Sequence, residues 1–191
     1  MTTPPTAHSW TDVQPGYEYT PAVPLTGWRL SAALINGLVS PFINGAAAQA
    51  ECGAVPAERR HDGHEVHPRC ICGLYLCDTR QHLIDYWPDA ATRFGRARTD
   101  IGSYRWGGVV VCQVTTASNV TGRCTWPGMT PPDSPHTYRA ASLILRRVLV
   151  PTGAVPHLAK RIETKYPGVP VISMKGPLHT ICKPEYAGLY R

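Results

Sequence analysis

The sequence predicts an α+β fold dominated by β structure: a small twisted sheet or partly open barrel with a C-terminal helix and a zinc-stapled loop region. Three observations carry this reading. The 191 residues include 19 Pro and 17 Gly, with 43% hydrophobic and only 17% charged residues, a composition that suits a turn-rich globular chain better than a disordered one or a helical bundle. The apolar stretches of the second half are short and rich in β-branched residues, as strands are. Between Cys52 and Cys77 hydrophobic periodicity fades and cysteine and histidine concentrate instead, so that stretch needs something other than a core to hold it.

The length fits one domain of roughly 100–200 residues with appendages. Residues 1–24 contain Thr2-Thr3-Pro4-Pro5 and further prolines at 15, 21 and 24. Proline favours extended backbone and cannot build a core, so this segment is expected to be a flexible arm, with Trp10, Tyr17 and Tyr19 able to dock it. Residues 25–175 form the single zinc-stabilised domain of this reading, and 176–191 an irregular tail. Within the domain, Ala33-Leu34-Ile35-Asn36-Gly37-Leu38-Val39 places Asn-Gly between two apolar runs, which signals a β-hairpin. Gly45 to Ala50 is either a short helix or a connection into Cys52. A short helix is expected around Gln81 to Trp87, followed by loop through Arg98. Gly108 to Thr115 is apolar on both alternating faces and reads as a central strand; Ala141 to Val150 reads as another. A helix opens near Pro156, with Leu158, Ile162 and Tyr166 on one face, and stops at Pro167-Gly168. Val169 to Ile172 contains Pro170 and fits a short edge strand.

No apolar run approaches the ~18–20 residues of a membrane helix, and the longest, Leu143 to Val150, is interrupted by Arg146 and Arg147. The first 24 residues lack the basic start and apolar middle of a secretion signal. The expected location is cytoplasmic, where thiols stay reduced and clustered cysteines bind metal or do chemistry. Nineteen basic against thirteen acidic residues give a net charge of +6, which favours anionic partners without identifying one.

Zinc takes about four ligands in tetrahedral array from thiolates and imidazoles. The chain offers Cys52, His61, His64, His67, Cys70, Cys72 and Cys77. One residue separates Cys70 from Cys72, a weaker signal than paired C-x-x-C motifs, while Gly73 is the kind of residue that lets amides approach metal-bound sulfur. Spacing alone prefers His67 as the histidine ligand. Three cysteines and one histidine would fill the coordination sphere, so the expected zinc is structural rather than catalytic.

Several of these residues also fall in a shared pattern. Gly27-Trp28-Arg29, Leu38-Val39-Ser40-Pro41, Ala50-Glu51-Cys52, Gly63-His64-Glu65-Val66 and Cys70-Ile71-Cys72-Gly73-Leu74-Tyr75 resemble a family of uncharacterised proteins of actinobacteria and their phages. Gly107 to Val110, Tyr138-Arg139-Ala140 and Ala159 to Val171 extend the resemblance over roughly residues 27–172, most of the chain. It implies Cys52, His64, Cys70 and Cys72 as the ligand set, with His67 as the substitute, and an actinobacterial or phage origin. The family carries no activity to transfer. The sequence lacks the family's proline after Val66 and carries an insertion around Pro127 to His136.

The first functional expectation is therefore a zinc-stabilised binding module, a phage accessory protein engaging a host protein or nucleic acid. Residues 136–162 hold Arg139, Arg146, Arg147, Lys160 and Arg161 without an acid, and Arg93, Arg96 and Arg98 surround Phe94; basic groups interleaved with aromatics suit phosphate contact and base stacking. Arg93, Phe94, Arg96, Arg98 and Arg139 are the candidate contacts. Adjacent Arg146 and Arg147 should point to opposite faces of a strand, which weakens a continuous basic patch. The alternative is a metal-dependent enzyme acting on a nucleotide or nucleic acid. Against it, His64-Glu65 and Pro68-Arg69-Cys70-Ile71-Cys72 miss the spacing of zinc deaminases, and no nucleophile elbow, phosphate loop or His-Glu-x-x-His motif occurs. His82 with Asp85, and Asp133 with His136, are pairs that catalysis can use, though ordinary exposed residues account for them. Cys77, Cys112, Cys124 and Cys182 are open to redox or disulfide roles, with Cys112 in an apolar strand reading as a small core residue.

Overall fold

A computed structural model of the chain describes residues 3–34, 37–39, 42, 45–50, 66–67, 72–85, 106–122, 136–151 and 157–174. In chain order these form β1 (Thr6–Ala7), β2 (Glu18–Pro21), β3 (Thr26–Leu34), β4 (Gly37–Val39), β5 (Ala47–Gln49), β6 (Leu74–Cys77), α1 (Arg80–Asp85), β7 (Trp106–Thr116), β8 (Val120–Thr121), β9 (Thr137–Ala140), β10 (Ser142–Pro151), α2 (Leu158–Lys165) and β11 (Val171–Met174). The fold is β-rich, as its composition predicts, and the sheet is not closed: its strand path runs from β1 to β11, with β4 and β5 pairing off that path to β3 and β10.

Three long antiparallel strands, β3, β7 and β10, run through the centre, with β7 paired to both others. Val110, Val111, Cys112 and Val114 of β7 are each no more than 2% exposed, so both faces of this strand are covered, as expected for an uninterrupted β-branched run. The outer flanks of the trio are shared between short strands. On β3, β6 meets the first half and β4 the second; on β10, β5 meets the first half and β11 the second.

One long antiparallel ribbon changes partners part-way along. β9 pairs with β6 and β8, yet after Ala141 the chain enters β10, which pairs with β7 and β5. The backbone at the corner remains paired: the Ala141 amide donates to Asn119 O (3.2 Å) and its carbonyl accepts from the Ala50 amide (2.7 Å). The interior is filled from several elements, including Leu38, Phe42, Leu76, Val110, Val114, Leu143, Leu145, Val148, Leu158, Ile162 and Tyr166. Tyr166 is 1% exposed. Its hydroxyl donates to Phe42 O (2.7 Å) and accepts from the Leu38 amide (2.8 Å), so the polar end of a large apolar side chain is satisfied where it is buried. That tyrosine ties the end of α2 to the β4 region.

Several expectations meet their elements. β3 and β4 form a hairpin whose last pair is Leu34 with Gly37, leaving Ile35 and Asn36 between them. The alanine-rich run is a strand, β5, rather than a helix. Leu158 and Ile162 are buried on one face of α2, and β11 lies at an edge, parallel to β10.

The expected flexible arm needs correction. Residues 3–24 are packed on the domain: β1 pairs with β2, and β2 with β8. Ala7, Val13 and Tyr19 are at most 9% exposed, and the Trp10 indole donates to Thr26 O (2.6 Å). Proline content argued against a core within this segment, but three small apolar contributions and two strand pairings suffice when the rest of the domain provides the surface. The tail 176–191 and most of the expected zinc loop lie outside the described residues. Among the described residues no helix is long and apolar enough to cross a membrane.

Candidate metal centre at the end of β6

β6 ends at Cys77, and the next five residues build a compact polar corner. The Thr79 hydroxyl accepts from the His82 amide (3.0 Å), the bond a threonine makes when it caps a helix N-terminus. This cap opens α1 immediately after the strand. Asp78 and His82 then stand four residues apart around the first turn, the spacing at which helical neighbours meet. His82 Nδ1 lies 2.5 Å from Asp78 Oδ1, which also accepts from the Thr79 amide at 2.7 Å.

The third member arrives from a different part of the chain. β6 and β9 are antiparallel with Cys77 opposite Thr137. One residue further along, the same register brings Asp78 beside His136. His136 Nδ1 is 3.4 Å from Asp78 Oδ2, and its ring stacks on His82 with centroids 3.5 Å apart and planes 10° apart. One donor atom from each of Asp78, His82 and His136 lies within 4.8 Å of the others.

The cluster is half-buried: side-chain exposure is 16% for Asp78, 30% for His82 and 44% for His136. That is deep enough to hold geometry and open enough for an ion to enter. Behind it, Tyr138 stacks at a tilt on Trp10, with centroids 4.5 Å apart, so the docked N-terminal segment forms part of the support. Burial, then the neighbouring charge of Asp78, then Cys77, push the Tyr138 phenol above its ordinary pKa. The Thr137 hydroxyl is buried without a hydrogen-bond partner.

A carboxylate and two imidazoles are oxygen and nitrogen donors suited to zinc and other divalent transition ions. Three protein ligands would leave a coordination position for water or an external donor, unlike the filled sphere expected of three cysteines and a histidine. Sequence reasoning named both histidines but paired them with Asp85 and Asp133. The carboxylate they share is Asp78, found only through the β6–β9 register and the cap at Thr79.

Of the ligands expected from sequence, Cys52, His64 and Cys70 lie outside the described residues. Cys72 is half-buried and not in a disulfide, and His67 is exposed. Gly73 has φ +112°, and a Cβ there would lie 2.9 Å from Val66 Cγ1 and 3.1 Å from Arg139 Cβ. The residue after Cys72 must therefore be glycine for backbone and packing reasons. Cys77 and Cys112 are buried and not in disulfides.

The candidate partner contacts divide. Arg93, Phe94, Arg96 and Arg98 lie outside the described residues. Arg139 is 0% exposed, with Nη1 donating to Cys72 O (2.9 Å) and Nε to Gly122 O (3.4 Å). It is an internal tie between β9 and the segments on either side, not a surface contact, which corrects the expectation. Its neighbours in sequence offered no sign of this, because the two carbonyls come from distant segments. Arg146 and Arg147 are corrected in the other direction. A bulge between Leu145 and Arg147 breaks the alternation, so both arginines are exposed, and Arg146 Nε donates to Thr115 Oγ1 (2.8 Å).

No family model, curated protein or solved structure matches the chain.

Proposed function

We propose that the chain is a metal-binding recognition module: a β domain that holds a divalent transition ion, zinc by preference, at Asp78, His82 and His136, and engages nucleic acid through its basic surface. The observation that carries the metal is the meeting of three donors of metal-ligating type from the turn after β6, from α1 and from the approach to β9. In the same reading Cys52, His64, Cys70 and Cys72 hold a second, structural zinc, and the protein is a phage accessory factor of an actinobacterial host. The nucleic-acid preference rests on the net charge of +6 and on the adjacent exposed Arg146 and Arg147, which can approach phosphate from one face. A host protein is the other partner this surface can serve.

The open coordination position favours one second reading, a metal-dependent enzyme acting on a nucleotide or nucleic acid, since a bound water there could be activated. Fluorescence anisotropy with labelled random-sequence DNA, at about 50 and 200 mM salt, tests the first reading. Binding that weakens steeply with salt, as phosphate contacts do, and that falls in Arg146→Ala/Arg147→Ala, supports it. Salt-independent or unchanged binding rejects the nucleic-acid role. Appearance of cleaved oligonucleotide only with added zinc or manganese would favour the enzyme.

A further inference from the structure

The register of the three central strands sets one row of side chains across them. Trp28 of β3 lies opposite Gln113 of β7, and Gln113 opposite Arg147 of β10, so all three project from the same face. It is the face away from the interior cluster, to which β7 contributes Val110, Cys112 and Val114. Two residues along, Thr26 lies opposite Thr115, whose hydroxyl accepts from Arg146 Nε. The bulge after Leu145 thereby adds Arg146 to this face.

Burial divides the face. Leu30, Val111 and Leu149, the next paired row in the other direction, are at most 5% exposed. On the nearer side the cover stops: Trp28, Gln113 and Thr115 are half-buried, and Thr26, Arg146 and Arg147 are exposed. Trp28, Gln113 and Arg147 make no side-chain hydrogen bond, ion pair or ring contact among the described residues, so their donors remain for something outside the chain. β3, β7 and β10 contain no acidic residue, and nothing on these strands neutralises the two exposed guanidinium groups. An aromatic ring, a two-way amide and two cations on one open stretch of sheet match the parts of an unpaired nucleotide strand: base face, base edge and phosphate.

Building on the nucleic-acid reading above, we propose that this open half of the sheet face is a platform for single-stranded nucleic acid. A base stacks on Trp28, the Gln113 amide bonds its edge, and Arg146 and Arg147 hold the adjoining phosphates. Neighbouring strands lie about 4.8 Å apart, which puts the backbones of Trp28 and Arg147 roughly 10 Å apart, within reach of one base and the phosphates beside it. The arginines alone serve either form of nucleic acid, because a duplex presents phosphates as readily. Trp28 decides between them. Paired bases stack on one another and hide the faces an indole needs, whereas an unpaired base offers its own.

Fluorescence anisotropy of the full chain tests this with three labelled probes of about 15 nucleotides: oligothymidylate, oligouridylate and the oligothymidylate–oligoadenylate duplex. At least one single strand should bind about 10-fold more tightly than the duplex. Trp28→Leu should lose about 10-fold on that strand and leave duplex binding unchanged, while Trp28→Phe, which keeps a ring, should retain most of the affinity. Arg147→Gln should weaken binding to all three and lower the salt slope by about one. Equal or tighter duplex binding in the wild type overturns the platform and leaves the broader nucleic-acid reading standing; no binding to any probe overturns both. Unchanged single-strand binding in folded Trp28→Leu also overturns the platform. The wild-type ratio of single strand to duplex decides the matter without any variant, including where Trp28→Leu does not fold.

Discussion

Arg29 and Arg139 both reach into the interior, from β3 and from β9, and they differ in what receives them. Arg139 is closed off with backbone carbonyls of Cys72 and Gly122 as acceptors; Nε and Nη1 of Arg29 have none. A buried guanidinium that finds carbonyls knits distant segments together. One whose buried nitrogens find no acceptor costs the fold desolvation without that return. The same distinction applies to the rim cluster, whose carboxylate and imidazoles contact one another yet remain accessible. Its hydrogen bonds can be exchanged for bonds to an ion.

The largest expected effect breaks this comparison if it fails. Arg139→Met should lower stability by about 2–3 kcal/mol, because two buried carbonyls lose their donor. Arg29→Met should cost nothing measurable, or should stabilise, since it removes two buried nitrogens without hydrogen-bond partners while keeping most of the volume. Urea unfolding of the two variants side by side measures the difference; equal losses would mean that the two arginines serve the same structural purpose.

Gly73→Ala sharpens the Arg139 side. The positive φ and the contacts a methyl would make with Val66 and Arg139 predict a loss of roughly 2 kcal/mol. Crowding the arginine without removing it should leave the Arg29 region untouched, so the effect of Arg29→Met should be the same in this variant as in the wild type.

A smaller, pH-dependent effect is expected in the docked N-terminal segment. The amides of His8 and then Ser9 hold the Asp12 carboxyl below the ordinary carboxylate range. Its folded pKa is depressed, so its contribution is present above the unfolded pKa and is lost as pH falls through the lower folded value. Amide exchange at His8 and Ser9 should therefore accelerate only in that acid window, with the central strands β3, β7 and β10 still protected. Acceleration already near neutral pH would contradict this.

The parts of the fold legible in sequence were those set by local pattern. β7 and β10 announce themselves by apolar, β-branched runs, α2 by Leu158, Ile162 and Tyr166 at helical spacing, and the β3–β4 hairpin by Asn36-Gly37 beside apolar residues. What sequence missed depends on register and on partners far along the chain. The bulge after Leu145 puts Arg146 and Arg147 on one side, the corner at Ala141 turns one hairpin into two parts of the sheet, and the N-terminal segment gains its structure from β8 and the core. The candidate centre follows the same rule. His82 and His136 were visible as polar residues near acids, but their common partner Asp78 is set by the pairing of Cys77 with Thr137, which no local spacing encodes.

The central functional claim is that Asp78, His82 and His136 bind a divalent ion, and zinc content after equilibration and desalting tests it most directly. Wild type should retain one more zinc per chain than Asp78→Asn or His136→Ala, with all three proteins folded by circular dichroism and any zinc held by Cys52, His64, Cys70 and Cys72 retained in each. Equal zinc content in the wild type and both variants would contradict the claim and leave the cluster as a hydrogen-bonded clasp between α1 and β9.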